Sequence, residues 1–472
     1  MSLSWLRRFE EATRPVDDRT RAALRERWAE LPDHVKTPSQ TLGRAGIGCE
    51  GTHGVFPRCN FACKPCYHSE DANHVRVDGA HTVDQVRQQI GFLNASRAPH
   101  AHAQLIGGEI SLLDADDHAE ALRLMRSFGR EPMSFTHGDF DYAYLERLAL
   151  GPDGRPRFSR LSFAVHIDTT MVGRRGMRRA EREEDLDPYR REFADMFRRL
   201  RREHGIRSFL AHNMTVTPGN VDQVPGVIRR SHAMGYAMFS FQPAANVGDD
   251  RRWTEDYRSL DPDAVWAKIE EGAGSRLPFR PLQVGDERCN RTAFGFYLGD
   301  HWHSVLDEND DADLRARDAF LRYFGGVHFN APAHLLVPRL ARAVAAHPDA
   351  IPIGASWLRR TVHRAGGPRA LLRHRVASVT FVMHRFMHAE DVQPAWDLLE
   401  RGEMSDDPRI RETQERLQAC SYAMAHPENG RIVPACVQHS VLDPEENRRL
   451  RVELPRLRVR TGSPAPSAIP GV

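Results

Sequence analysis

Hydrophobic and polar positions follow a repeating pattern along residues 46–243. Short apolar runs with a period of two residues predict strands, and longer stretches with apolar residues three or four apart predict helices. Six repeats of strand and helix predict a parallel α/β barrel or partial barrel, with its chemistry at the carboxyl ends of the strands. The predicted strands are residues 51–57, 102–108, 131–138, 160–168, 209–216 and 236–244. The predicted helices between them include residues 82–95, 117–129, 187–205 and 220–235.

The pattern differs on both sides of a core at residues 46–250. Residues 1–45 predict a helical extension that is broken near Pro32 and Pro38. Residues 251–460 predict an α+β extension. Its predicted parts are a hairpin at 286–305, Arg-rich helices across 311–374, a strand at 375–388 and a turn-rich stretch between Cys420 and Cys436. Residues 461–472 have the composition of a disordered tail.

Composition narrows the classes of function. The 472 residues are 40% hydrophobic, and no apolar run approaches the ~20 residues of a membrane-spanning helix. The net charge of +2 argues against a dedicated nucleic-acid binder. The first residues are polar and carry no apolar segment of the kind that directs secretion, so we expect a cytoplasmic protein.

The most informative residues are cysteines. The chain has seven, and an odd number without a secretion signal argues against a disulfide framework. Cys59, Cys63 and Cys66 lie within eight residues, directly after the first predicted strand. Thiolates bind iron–sulfur clusters or zinc, and three thiolates on a [4Fe–4S] cluster leave one iron open to another ligand. The alternative is a structural zinc site with His68 as a fourth ligand.

The Cys-x3-Cys-x2-Cys spacing resembles that of the radical S-adenosylmethionine (SAM) superfamily. A second matching motif, Gly107-Gly108-Glu109, ends the next predicted strand, and the resemblance spans about residues 46–245. In that family the corresponding GGE motif contacts the SAM amino group. One position departs from the family pattern, because Pro65 precedes the third cysteine where an aromatic residue is usual. Tyr67 is a candidate to replace that residue beside adenine.

The resemblance implies an incomplete (βα)6 parallel barrel of the radical SAM type with an α+β C-terminal extension. It implies that Cys59, Cys63 and Cys66 hold a [4Fe–4S] cluster, and that an electron donor such as ferredoxin or flavodoxin reduces it. SAM is then cleaved to methionine and a 5′-deoxyadenosyl radical, which abstracts hydrogen from a small molecule, a lipid or a peptide. The candidate SAM contacts are Gly107, Gly108, Glu109, Tyr67, Ser162, His166, Asp168, Asn213, Thr215 and Gln242.

The four remaining cysteines are Cys49, Cys289, Cys420 and Cys436. Four thiolates are the usual complement of a second [4Fe–4S] cluster, and the arrangement loosely resembles the auxiliary-cluster extensions of SPASM or twitch type. The alternative is a set of separate core cysteines, with Cys49 the weakest candidate ligand. For the whole protein, the alternative to a radical SAM oxidoreductase or transferase is a non-catalytic iron–sulfur or zinc protein that serves electron transfer or structure.

Overall fold

Eleven strands form one open sheet in the computed structural model, which describes residues 9–52, 58–97, 99, 101–425 and 430–454. The order across the sheet is β10-β9-β11-β8-β7-β4-β3-β2-β1-β12-β13, and β5 and β6 form a separate hairpin. The strands are β1 (Cys49–Thr52), β2 (His102–Leu105), β3 (Glu131–Thr136), β4 (Arg160–His166), β5 (Val172–Arg174), β6 (Met177–Arg179), β7 (Arg207–Val216), β8 (Met238–Pro243), β9 (Asn290–Leu298), β10 (His301–Ser304), β11 (Val376–His384), β12 (Tyr422–Ala425) and β13 (Ile432–Pro434).

The six predicted strands correspond to β1, β2, β3, β4, β7 and β8, which neighbour one another in chain order and run parallel. The first begins earlier than predicted, at Cys49, and residues 53–57 of the predicted strand lie outside the described part of the chain. The predicted tail, residues 461–472, lies outside it as well.

The predicted (βα)6 barrel is not confirmed, because the sheet is not closed. Strand β12 pairs in parallel with the outer edge of β1, and β11 pairs in parallel with the outer edge of β8. Unpaired strand edges expose backbone hydrogen-bonding groups, and an added strand satisfies those of the edge that it joins. Here the C-terminal part of the chain supplies a strand to each edge of the six-stranded core, and the antiparallel strands β9, β10 and β13 extend the sheet further.

Helices separate the parallel strands. Several of them begin after an aspartate whose carboxylate accepts a hydrogen bond from the first turn; Asp17, Asp114, Asp141, Asp261, Asp310 and Asp407 all do so. The helices are α1 (Asp18–Glu30), α2 (Gly79–Arg97), α3 (Ala115–Ser127), α4 (Tyr142–Ala149), α5 (Asp187–His204), α6 (Val224–Ala233), α7 (Pro262–Ala273), α8 (Asp311–Tyr323), α9 (Ala333–Ala346), α10 (Ala350–Arg364), α11 (Pro368–Arg373), α12 (Ala389–Glu400), α13 (Pro408–Gln418), α14 (Ala435–Val437) and α15 (Asp443–Glu453).

The main hydrophobic core lies between the parallel sheet and its helices. Phe163 of β4 packs against Phe193 and Phe197 of α5, with ring centroids 6.4 and 5.0 Å away. All three side chains are fully buried, and burying a large apolar side chain contributes about 2 kcal/mol. This packing fixes β4, whose carboxyl end carries candidate site residues. Among the described helices, none is both long and apolar enough to cross a membrane.

Candidate functional site

The loop that carries Cys59, Cys63 and Cys66 follows β1 and is held by backbone hydrogen bonds. The amide of Ala62 donates to the carbonyl of Val172 over 2.8 Å, and the amide of Lys64 donates to that of Thr170 over 3.1 Å. The segment after β4 therefore runs beside the cysteine loop and fixes its backbone. Two charged residues that follow β4, Arg174 and Glu183, are buried.

The three thiols share one environment. Burial, followed by the nearby charge of Glu109, raises the pKa of Cys59 to about 12. Burial and the neighbouring Cys66 and Cys59 raise the pKa of Cys63, and burial also raises that of Cys66. A thiolate here needs a compensating cation, which a metal cluster supplies.

His68, the other candidate zinc ligand, faces the neighbouring strand end instead. Its Nε2 contacts the carbonyl oxygen of Gly107, the first residue of the Gly-Gly-Glu motif. This contact joins the loop after β1 to the loop after β2. The amide of Glu109 adds a second link, a 2.8 Å hydrogen bond to the carbonyl of Arg58.

Glu109 is fully buried, and donors from its own chain surround its carboxylate. Oε1 accepts hydrogen bonds from the Ser111 amide at 3.0 Å, the Ser111 hydroxyl at 2.6 Å and the Thr136 hydroxyl at 2.6 Å. Oε2 accepts the backbone amide of His137 at 2.7 Å. The carboxylate thus clamps the ends of β2 and β3 together beside Cys59.

The candidates on β4 and β7 form a compact hydrogen-bonded group. His166 Nε2 lies 2.6 Å from Asp168 Oδ2, and the same oxygen accepts the Thr215 amide at 2.7 Å. The Thr215 hydroxyl lies 3.1 Å from His166 Nε2. Asn213 is the register partner of His166 on β7 and is buried. These residues meet at the carboxyl ends of adjacent strands, as the alternation of side chains predicts.

Two further candidates are less connected to this group. Ser162 lies four residues before His166, on the same face of β4, and is half-buried. Gln242, on β8, donates from Nε2 to the Ser240 hydroxyl over 2.7 Å. Its Oε1 is buried, and no described residue bonds to it. A buried amide oxygen without a donor is costly, so this atom is suited to a ligand with an N–H or O–H group.

A buried ionic network lies beneath Asp168, and sequence reasoning missed it. Arg190 of α5 donates to Glu183 Oε2 at 2.5 Å, to the carbonyl of Ile167 at 2.9 Å and to His212 Nε2 at 3.0 Å. Glu183 Oε1 in turn accepts the amide and hydroxyl of Thr169, both at 2.9 Å. The network therefore fixes residues 167–169 on both sides of Asp168. Arg190 lies in a helix rich in exposed arginines, so composition gave no signal for it.

Arg252 is a second residue that the sequence did not indicate. It is buried, and one guanidinium nitrogen donates to the carbonyl of Cys63 over 3.3 Å. Its positive charge lowers the pKa of Cys66 against the larger effect of burial, which raises it. Its positive charge can therefore compensate a thiolate in this loop.

The C-terminal part of the chain covers Tyr67. The Tyr67 ring lies 4.4 Å from that of His439 and 6.4 Å from that of Phe386, measured between centroids. Gly248 packs beside them with φ +68°, and a Cβ there would lie 3.0 Å from the carbonyl oxygens of both Tyr67 and His439. Residues far along the chain therefore cover Tyr67, the predicted adenine contact.

The four remaining cysteines come together at the strands that extend the sheet. Cys49 opens β1 and pairs in register with Tyr422 of β12, which places it next to Cys420. Burial, followed by the charges of Cys420 and Cys289, raises the pKa of Cys436, so these three thiols are neighbours. Burial, Glu50 and Cys420 raise the pKa of Cys49 to about 11.

Polar groups surround this second set of thiols. Arg416 donates from Nε to the sulfur of Cys289 over 3.1 Å, and the Met387 amide donates to the sulfur of Cys436 over 3.5 Å. An arginine beside one thiol and an amide aimed at another are the kind of donors that stabilise thiolate ligands. The donor set fits an iron–sulfur cluster, with Cys49 at its edge.

Tyr422 lies between the two sets of thiols. Burial and the charges of Tyr67, Cys49 and Cys420 raise its pKa well above the usual value. Its hydroxyl is buried and bonds to no described residue, and the ring packs over Gly51, where a Cβ would overlap it. Tyr422 therefore lies near both Tyr67 and the second cysteine group.

Known proteins offer limited similarity. No family model matches the sequence, and no curated protein matches it. Streptococcus suis SuiB bound to S-adenosylmethionine matches 42% of this chain and 41% of its own chain, at 12% identity and a TM-score of 0.28. Native anSMEcpe with bound AdoMet matches 47% of this chain and 58% of its own, at 15% identity and a TM-score of 0.32. The chain therefore spans between two fifths and three fifths of the length of these structures.

Proposed function

We propose that the protein is a radical SAM enzyme. The observation that carries the proposal is that Cys59, Cys63 and Cys66 occupy one loop, which His68 ties to the Gly-Gly-Glu motif at the next strand end. In this proposal the three thiolates hold a [4Fe–4S] cluster, and SAM binds its open iron. When bound and reduced by a donor such as ferredoxin or flavodoxin, the cluster and SAM supply a 5′-deoxyadenosyl radical that abstracts a substrate hydrogen.

The residues of the chain would bind and orient SAM. The glycines Gly107 and Gly108 allow close approach of a ligand to the backbone. Glu109 holds the ends of β2 and β3 in place while its charge faces Cys59. The carboxylate is already bonded to four donors, so it acts on the SAM ammonium through charge and position more than as an unoccupied acceptor.

The strand ends beyond Glu109 would form the remaining walls of the site. Thr215 is hydrogen-bonded to Asp168, which in turn contacts His166. Asn213 lies on the same face of β7 as Thr215, and Ser162 lies on the same face of β4 as His166. Gln242 Oε1 is an acceptor for a hydroxyl or amino group of the ligand. Tyr67, with its ring covered by His439, would lie against the adenine. The covering also excludes water, which a carbon radical requires.

The experiment is anaerobic reconstitution with iron and sulfide, followed by dithionite and SAM. The wild type is expected to release 5′-deoxyadenosine, detected by mass spectrometry, and Cys63→Ala is expected to release none. Cys289→Ala makes the same chemical change in the other cysteine group and is the matched control, which retains the activity. Cluster-loaded wild type that forms no 5′-deoxyadenosine would refute the proposal and favour a non-catalytic iron–sulfur or zinc protein.

We also propose a second cluster held by Cys289, Cys420, Cys436 and Cys49. The support is their proximity together with the donors from Arg416 and Met387. A variant with Cys59, Cys63 and Cys66 all changed to Ala is expected to bind about four iron ions per chain after reconstitution. A folded variant that binds no iron would refute this second proposal and leave the first intact.

The remaining assignments are part of the same proposal. The chain is divided into an N-terminal extension (1–45), a SAM-binding core (46–250) and a C-terminal extension (251–460), and we place the protein in the cytoplasm. The substrate in this proposal is a small molecule, a lipid or a peptide.

A further inference from the structure

Three of the four helices between β10 and β11 bury very little of their surface. Helix α9 buries one residue, Ala343, and α10 buries one, Thr361. Helix α11 buries none. Helices in a folded protein normally bury an apolar stripe against the core, so helices this exposed present their apolar side chains to the outside.

Large apolar side chains protrude from this segment. Ten large hydrophobic residues are exposed in the described part of the chain, and five of them lie between residues 333 and 376. Single exposed apolar residues are normal on a protein surface, but a concentration of them marks an interaction site. The most exposed members are Val337 (63%), Ile351 (60%), Leu358 (56%) and Leu372 (87%).

The same segment is strongly basic. Residues 333–376 contain eight arginines, one aspartate and neither lysine nor glutamate, which gives +7 in a protein whose net charge is +2. Arg360 and Arg364 form ion pairs with Asp313. Among the described residues of this segment, the exposed Arg359, Arg369, Arg373 and Arg375 form no ion pair. Their charge is available to an external anion.

We propose that this basic helical surface, residues 333–376, docks on an anionic lipid bilayer. Leu372 protrudes between Arg369 and Arg373, which places an apolar side chain next to cations. Interfacial helices bind membranes in this way, with apolar side chains in the acyl boundary and arginines at the lipid phosphates. The membrane would be touched, not crossed, in accord with the lack of a membrane-spanning helix among the described residues.

Charge and shape together favour a bilayer over other anionic partners. An RNA strand would use the arginines but leave Leu372, Leu358 and Ile351 exposed to water. A folded acidic protein would need a pocket for each protruding side chain, whereas a fluid bilayer accepts them without a preformed shape. The inference rests on the surface alone and does not depend on the proposed SAM chemistry.

The test is flotation of the full chain with vesicles of phosphatidylcholine alone or of an equal mixture with phosphatidylglycerol. The wild type is expected to float with the anionic vesicles only, and less at high salt. Replacing Arg369, Arg373 and Arg375 by Gln should weaken binding about a hundredfold. The matched control is Arg21→Gln, Arg25→Gln and Arg87→Gln, which removes the same charge from exposed positions elsewhere and should bind almost as the wild type does.

Leu372→Asp tests the apolar contribution without touching the core, because the side chain is almost fully exposed. It should reduce flotation, whereas Met404→Asp, at an exposed position outside the segment, should not. The proposal is overturned if the wild type does not float with anionic vesicles, if the two arginine variants bind equally, or if the surface retains RNA but no vesicles. None of these measurements requires SAM cleavage, so their failure is distinct from failure of the proposed enzyme.

Discussion

The backbone amide of Cys49 donates a 2.8 Å hydrogen bond to the carbonyl oxygen of Ser421. This bond joins β1, the first strand of the sheet, to the start of β12, near the end of the described chain. It places the thiols of Cys49 and Cys420 on neighbouring strand starts, although they are remote in sequence. The second cysteine group therefore exists only when the C-terminal strand has docked.

A first prediction concerns Cys49 as a ligand. In the variant that lacks Cys59, Cys63 and Cys66, the further change Cys49→Ala should lower the iron bound after reconstitution, because one thiolate of the second group is lost. Ser421→Ala keeps the backbone hydrogen bond and all thiols, so it should leave the iron content unchanged. Full iron retention by the Cys49→Ala variant would show that Cys49 is a core thiol, not a ligand.

A second prediction concerns the clamp at Glu109. Thr136→Val removes a 2.6 Å hydrogen bond to a buried carboxylate, so the free energy of unfolding should fall by about 2 kcal/mol and SAM binding should weaken. Thr82→Val removes a hydroxyl that donates to the carbonyl of Asp78, away from the site. It should cost about 1 kcal/mol of stability and leave the dissociation constant for SAM unchanged. Equal SAM affinity in both variants would contradict the role given to Glu109.

A third prediction concerns the buried network under Asp168. Arg190→Met leaves the buried Glu183 carboxylate without its guanidinium, which should lower the free energy of unfolding by about 4 kcal/mol, measured by urea titration. Arg199→Met breaks an ion pair with Glu203 on the exposed side of the same helix, and its effect should be small. If the two variants were equally stable, the network would have no structural role.

The sequence predicted local structure well because periodicity is a local property. The alternation in residues 131–138 and 160–168 identifies β3 and β4, and the Cys-x3-Cys-x2-Cys loop is visible without any structure. Strand pairing between distant segments leaves no such signal. Strand β12 is only four residues long, and its register with β1 is fixed by packing at that edge, so the open, extended sheet could not be foreseen.

The candidate site likewise contains residues that the sequence identified and residues that it did not. His166, Asp168 and Thr215 could be grouped because alternate residues of a strand share a face and parallel strands end together. Arg190, Glu183 and Arg252 look like members of a solvated, charged surface in the sequence. Their burial follows from tertiary contacts with Ile167 and Cys63, which no spacing rule contains.

A fourth prediction concerns the packing of Gly248 against Tyr67 and His439. Gly248→Ala puts a Cβ against the carbonyl oxygens of Tyr67 and His439 and also strains a backbone with φ +68°. Gly274 has the same φ, but a Cβ there meets no atom within 4 Å, so Gly274→Ala carries the backbone strain of about 1 kcal/mol alone. Thermal unfolding should show a larger loss for Gly248→Ala, with weaker SAM binding in that variant only. Equal losses of thermal stability in the two variants would mean that Gly248 is not closely packed against Tyr67.

The central claim is that Cys59, Cys63 and Cys66 hold a cluster that binds SAM. The most direct measurement is the electron paramagnetic resonance spectrum of the reconstituted, dithionite-reduced protein with and without SAM. The account predicts that SAM changes the spectrum of the wild type and has no effect on the variant with all three residues changed to Ala. A reduced wild-type cluster with the same spectrum in both conditions would contradict it.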